Sequence, residues 1–174
     1  MTDHDLQTAP DTIRLERLLD ASIETVWDWL VDSEKRGRWF AAGEMEPRVG
    51  GDVELIFDHD NLSADDVPYP PDYAKYKGVK SREKVVRFDP PYLLAYTFGG
   101  GDGVAEFALS REGERTRLVL TQTGVTQGQR AGIGAGWHSH LAVLEAKLAG
   151  REVRDFWALH KQSEAAFARE DEQA

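Results

Sequence analysis

Between residues 80 and 122 the chain is interrupted three times by residues that reverse its direction: Asp89-Pro90-Pro91, the run from Gly99 to Gly103, and Glu112-Gly113-Glu114. The segments between these breaks alternate. Tyr92, Leu94, Tyr96 and Phe98 stand against Leu93, Ala95 and Thr97, while Ala105, Phe107 and Leu109, then Leu118, Leu120 and Gln122, share a face. A period of two bounded by Pro and Gly turns marks strands joined by tight connections. Successive hairpins of this kind make an antiparallel meander, and its apolar face has to be covered by another layer.

The ends of the chain supply that layer. Residues 12–19 alternate as a strand, with Ile13, Leu15 and Leu19 on one side and Arg17 interrupting the pattern. Ser22 can cap a helix whose apolar residues Ile23, Val26, Trp27 and Leu30 fall on one stripe. A short turn from Ser33 leads to Trp39-Phe40, and Val49-Gly50-Gly51-Asp52 precedes a second strand with Val53, Leu55 and Phe57. The last third is helical, since Ile133, Trp137, Leu141, Leu144 and Leu148 follow a 3.6-residue period and Gly150 stands at the expected C-cap. Gly128, Gly132, Gly134 and Gly136 weaken the first half of that helix, so either it starts late or its backbone lies close to another element. The reading places its start near Gln127.

The fold class is therefore α+β, in the order β-α-α-β-β-β-β-β-α: a six-stranded curved antiparallel sheet around a long C-terminal helix. Residues 1–11 read as a flexible N-terminal tail and 12–150 as the domain. Within it, 58–77 is acidic, Pro-rich and aperiodic, which predicts a long surface loop with the character of a lid. Residues 151–174 read as a helical extension. Its amphipathic stretch, 153–168 with Phe156, Trp157, Leu159 and Phe167, is expected to pack outside the main core.

Composition narrows the partners. A formal charge of −10 repels a phosphate backbone, and Lys and Arg are scattered among acids rather than clustered, so no nucleic-acid partner is expected. No apolar run approaches the roughly 18 residues of a membrane span, and the acidic start lacks the features of a secretory signal. Together with the absence of cysteine, this predicts a soluble, cytoplasmic protein with no membrane partner.

The order strand, two helices, five-strand meander, long helix carries a resemblance. So do Trp27, Trp39-Phe40, Val49-Gly50-Gly51, Phe88-Asp89-Pro90-Pro91, the run from Leu94 to Phe98 and Gly136-Trp137. On these residues the chain resembles the SRPBCC superfamily. More narrowly, it is similar to bacterial proteins related to the C-terminal domain of activators of the heat-shock-90 chaperone ATPase. The resemblance spans about residues 13–150 and implies a helix-grip, START/Bet v 1-like fold. Sheet and helix in that fold enclose a cavity used across the superfamily for lipids, sterols, polyketides and other apolar molecules. Many relatives have a short connection where this chain has 58–77, and many carry His near the position of Gln122, so no catalytic residue is carried over.

Large side chains on the concave face either fill the gap under the helix or line a pocket. Candidates for binding a ligand are Trp39, Phe57, Tyr96, Phe98, Phe107 and Gln122, with Trp137, His140, Leu141 and Leu144 from the helix. Ordinary core packing is the competing reading for the apolar ones. His140 lies three residues after Trp137 and four before Leu144, which puts a titratable group on the buried stripe. There it orients a ligand, acts as a base, or bonds to a neighbour such as Gln122 or a tyrosine. Tyr69, Tyr73 and Tyr76 suit a lid over a cavity mouth, or an anchor for the loop. Asp58-His59-Asp60 opens the acidic loop and reads as solvated.

His138 and His140 point apart on a helix and no HExxH occurs, so neither a metal nor another cofactor is expected. No Gly-x-Ser-x-Gly elbow is present, and no residue is assigned as catalytic. The expectation is non-enzymatic binding of a small hydrophobic or aromatic molecule. The alternatives are a polyketide cyclase or aromatase-like enzyme and a chaperone-linked interaction module. A homodimer through residues 153–168 and a chaperone contact stand as further partners.

Overall fold

Each turn forms where Pro and Gly interrupt the alternation. The computed structural model describes residues 9–173. In chain order the elements are β1 (Ile13–Leu19), α1 (Ile23–Val31), α2 (Ser33–Gly37), β2 (Asp52–Ile56), β3 (Lys80–Asp89), β4 (Leu93–Thr97), β5 (Val104–Glu112), β6 (Arg115–Thr123), α3 (Arg130–Leu148) and α4 (Phe156–Gln173). The strands make one sheet in the order β1-β6-β5-β4-β3-β2, with every neighbouring pair antiparallel. Ala105 pairs with Gln122, Phe107 with Leu120 and Leu109 with Leu118, so the face read from the sequence is one continuous buried surface.

The interruption at Arg17 is not a break in β1. The side chain is buried on the inward face, in register with Leu15 and Leu19, and its guanidinium lies 3.9 Å from Glu145 of α3. Its aliphatic stem serves as core while the charged head reaches a carboxylate. Arg36 does similar work at the other end of the sheet. It is fully buried and donates to the carbonyls of Val31, Ala41, Gly43 and Glu54, tying α2 to the segment that covers β2. That segment bridges to β2 at Ala42–Ile56 and Met45–Val53, so this sheet edge is not open.

Residues 1–8, most of the expected tail, lie outside the described residues. Its remainder is held in place: the Arg130 guanidinium donates to the carbonyls of Ala9, Pro10 and Thr12. α3 begins three residues after the expected Gln127, behind a short 3-10 turn in which Thr126 and Gln129 form a reciprocal cap.

One expectation about packing is corrected. The stretch 153–168 does not lie outside the core, because Phe156, Trp157 and Phe167 are buried within the same apolar cluster as the sheet and α3. The glycines of α3 give the physical reason. A Cβ on Gly134 would meet the Phe167 ring at 2.6 Å, so this glycine lets α4 approach the α3 backbone closely. The two helices are then joined by reciprocal polar pairs, His138 with Ser163 at 2.7 Å and His160 with Ser139 at 3.3 Å.

Candidate ligand-binding cavity

The inner face of the sheet is filled by its own side chains. Trp39, Tyr96, Phe107, Trp137, Leu141 and Leu144 are each 2% exposed or less. Trp39 and Trp137 both meet the Phe107 ring edge-on, at 6.4 and 5.7 Å. Gln122 is also buried, accepting from the Trp137 indole at 3.0 Å and donating to the Phe98 carbonyl at 2.9 Å. Of the residues expected to line an opening, Trp39, Tyr96, Phe98, Phe107, Gln122, Trp137, Leu141 and Leu144 do not reach the cavity described next. Four large rings occupy the volume beneath the helix.

The open volume lies to one side, where α3, α4, the β2–β3 end of the sheet and the 58–77 loop converge. It measures about 410 Å³ and opens to solvent on one side. Phe57 and Val79 form its sheet wall, Ile133 and His140 its α3 wall, and Phe156, Trp157, His160 and Glu164 its α4 wall. Tyr73 and Tyr76 stand at the loop side, while Tyr69 packs behind them against His59 and Trp157. Gly132 and Gly136 also line it, and a Cβ on either would meet only open space. Thus three glycines of one helix serve two ends: Gly134 admits a neighbour and its flanking partners leave room.

The loop is fastened to α4. Ser63 Oγ accepts from the Phe156 amide at 2.9 Å, Ala64 and Asp65 donate to the Val153 and Arg154 carbonyls, and Tyr73 stacks on Trp157 at 4.9 Å. This corrects the solvated reading of Asp58-His59-Asp60 at its middle residue. The His59 ring packs among Phe57, Tyr69, His140, Phe156 and Trp157.

Three histidines and one carboxyl supply the polar chemistry. Burial lowers His59 to about 4, His140 to about 3 and His160 to about 4, so all three rings are neutral near pH 7. His140 bonds neither to Gln122 nor to a tyrosine, as its expected partners would have it. Its Nδ1 donates to the Trp39 carbonyl at 2.8 Å, which leaves Nε2 as a lone-pair acceptor. Ser139 Oγ donates to the Ala135 carbonyl at 2.7 Å and lies 3.3 Å from His160 Nδ1. His160 Nε2 lies 3.0 Å from Glu164 Oε1. Burial raises the Glu164 carboxyl from its ordinary value. No Lys or Arg lines the cavity, and Glu164 is the carboxyl on its wall. Among the described residues no group of three or more His, Cys, Asp or Glu is arranged to hold a metal ion. No helix among them is long and apolar enough to cross a membrane.

Sequence reasoning missed His59, Phe156, Trp157, His160 and Glu164. A signal for the α4 set was present: Phe156, His160, Ser163 and Phe167 recur at helical spacing, putting a histidine on an apolar stripe as at His140.

The sequence profile of the family described as Activator of Hsp90 ATPase homolog 1-like protein matches residues 20–149. The chain belongs to this family. Among solved structures, this Activator of Hsp90 ATPase homolog 1-like chain is similar to the protein encoded by gene BPP1335 of Bordetella parapertussis. Identity is 40%, with 95% of this chain and 88% of that one covered and a TM-score of 0.82. It shares its fold with CalU16 of Micromonospora echinospora at 21% identity, covering 95% and 94% of the two chains with a TM-score of 0.68. A conserved protein of unknown function from Enterococcus faecalis, EF2215, matches at 21% identity over 95% and 89%, with a TM-score of 0.64. No curated protein matches the chain. The family's profile ends at Ala149, before α4, so the α4 wall of the cavity lies outside the part this family member shares with the profile.

Proposed function

We propose that this chain binds a small, uncharged, largely aromatic molecule in the cavity between α3, α4 and the 58–77 loop, without transforming it. The observation that carries the reading is the cavity itself: about 410 Å³ walled mainly by aromatic rings, with a few polar groups and no Lys or Arg at its surface. Pockets of roughly 300–1,000 Å³ with apolar walls and a few placed polar groups are the usual form of small-molecule sites. Burying about 200 Å² of apolar ligand surface contributes roughly 5 kcal/mol before the costs of association, enough for micromolar binding when the site is preformed. Phe57, His140, Tyr73 and Tyr76, all named from the sequence, take part. The filled face under the helix does not.

Binding is favoured over catalysis by the state of His140. A general base works best with a pKa near the working pH, and burial holds this one at about 3.

The test pairs native mass spectrometry of the freshly purified protein with a calorimetric screen of small uncharged aromatics, on the native chain and on Gly136→Leu. Gly136 faces open cavity, so leucine there fills the site without crossing another element. The expected result is a co-purifying compound or a micromolar binder, lost in Gly136→Leu while the far-ultraviolet spectrum is retained. A bare mass together with no heat from any aromatic at millimolar concentration overturns the reading.

A further inference from the structure

Two ring nitrogens decide which aromatic molecules the cavity selects. His140 is 6% exposed, and with Nδ1 committed to the Trp39 carbonyl its Nε2 has no hydrogen-bond partner among the described residues. That atom is not sealed off, since Ser81 Oγ is the one wholly buried side-chain polar atom without a partner among the described residues, and His140 lines the cavity. An acceptor nearly shut off from bulk water therefore looks onto the bound molecule. A guest that cannot donate to it leaves it unpaired, at a cost of roughly 1–3 kcal/mol.

His59 presents the complementary atom. Tyr69 Oη accepts from the His59 backbone N–H at 2.7 Å and lies 3.2 Å from Nδ1 of the same residue. With one lone pair taken by the amide, the hydroxyl is placed to give its own proton to Nδ1, which puts the His59 ring proton on Nε2. The two rings lie 5.6 Å apart between centroids, without a hydrogen bond joining them. An acceptor and a donor so spaced suit a group that both donates and accepts. A hydroxyl does this with one atom; an ether or a halogen does not, and a carboxylate finds no Lys or Arg on the wall.

We infer that the cavity selects aromatic alcohols of the phenol or naphthol type, the hydroxyl donating to His140 Nε2 and accepting from His59. The inference rests on the binding reading above and narrows it to one ligand class. Glu164 and His160 lie on the α4 wall and already satisfy each other, so they do not compete for the hydroxyl.

The test compares 2-naphthol with 2-methoxynaphthalene, which has the same rings and no proton to give. Binding is followed in the ¹⁵N-labelled full chain through the Trp157 indole resonance and the histidine ring nitrogens. The expected result is 2-naphthol binding five- to twentyfold tighter, with His140 Nε2 shifting on addition of 2-naphthol and not of the ether. In His140→Asn the amide nitrogen can stand where Nδ1 stood and keep the bond to Trp39; the amide oxygen then lies at the Cδ2 position, one bond short of the lost Nε2 acceptor. The preference for 2-naphthol should narrow to less than twofold there. Equal affinities of the two compounds for the native chain overturn the inference and leave the binding reading in place. Failure of both compounds to move the Trp157 indole overturns both. Should His140→Asn fold poorly, the native chain's ligand pair and the His140 nitrogen shift decide the matter alone.

Discussion

His140 links the fold's stability to pH. Its folded value of about 3 lies below the ordinary 6.5, so between those limits the unfolded chain binds a proton that the folded chain refuses. Stability from this residue is fully present above pH 6.5 and is withdrawn as pH falls toward 3. His59 and His160, both lowered to about 4, act in the same direction; around them stand each other and His140, with Asp58, Asp60 and Tyr69 beside His59 and Tyr73 and Glu164 beside His160, and the raised Glu164 carboxyl acts in the opposite direction. Each such histidine adds a slope approaching about 1.4 kcal/mol per pH step in that window. Urea unfolding between pH 7 and 4.5 should therefore show stability falling steeply. His140→Asn, which keeps a donor for the Trp39 carbonyl and cannot titrate, should flatten the slope by about one proton. A variant with the native slope would mean that His140 takes up its proton in the folded state.

At the scale of elements, α3 is defined by what its glycines adjoin. Gly136 faces open cavity, so alanine there relieves the entropic cost of glycine in a helix without touching a neighbour. Gly136→Ala should raise stability by about 0.5–1 kcal/mol. Gly134→Ala places a methyl 2.6 Å from the Phe167 ring and forces α4 outward, so it should lower stability by roughly 1–3 kcal/mol. Chemical melts of the two variants should move in opposite directions; movement in the same direction would contradict the assignment of the two faces.

This contrast also marks what was legible in the sequence. The hairpins and the face shared by β5 and β6 were readable, because a period of two closed by Gly and Pro is a local property of the chain. The glycines of α3 were readable as an anomaly with two explanations, and both apply, at different positions. Which helix came close depends on Gly134 meeting Phe167, 33 positions further on, and that His59 turns inward although flanked by Asp58 and Asp60 depends on rings 81 to 98 positions away. No local pattern encodes those. The filled inner face was legible only as one of two outcomes, since Trp39, Phe107 and Trp137 have the same residue types whether they line a hole or close it.

For the whole molecule, the question is whether residues 151–174 are an appendage or a wall. Phe156, Trp157 and Phe167 are buried, and each contributes on the order of 2–3 kcal/mol of apolar burial, offset in part by the ordering of the helix that carries them. Removing them also uncovers Ser139 and His140 and releases the loop from its bonds at Ser63, Ala64 and Asp65. A chain ending at Gly150 keeps the sheet, α1 and the sheet-facing side of α3, so it should still fold. Its melting temperature should drop by roughly 10 °C, about 3 kcal/mol at 2–4 °C per kcal/mol for a chain of this size. With Trp157 gone and the loop untethered, it should bind neither 2-naphthol nor any aromatic that the full chain holds, and it should expose apolar surface to a dye such as anilinonaphthalene sulfonate. A truncated chain that melts with the native one and keeps its ligand would place the site back under the sheet and make α4 an ornament on it. Loss of binding with little loss of stability would instead mean that α4 and the loop exist chiefly to close the cavity, the sheet and α3 being a self-sufficient platform beneath them.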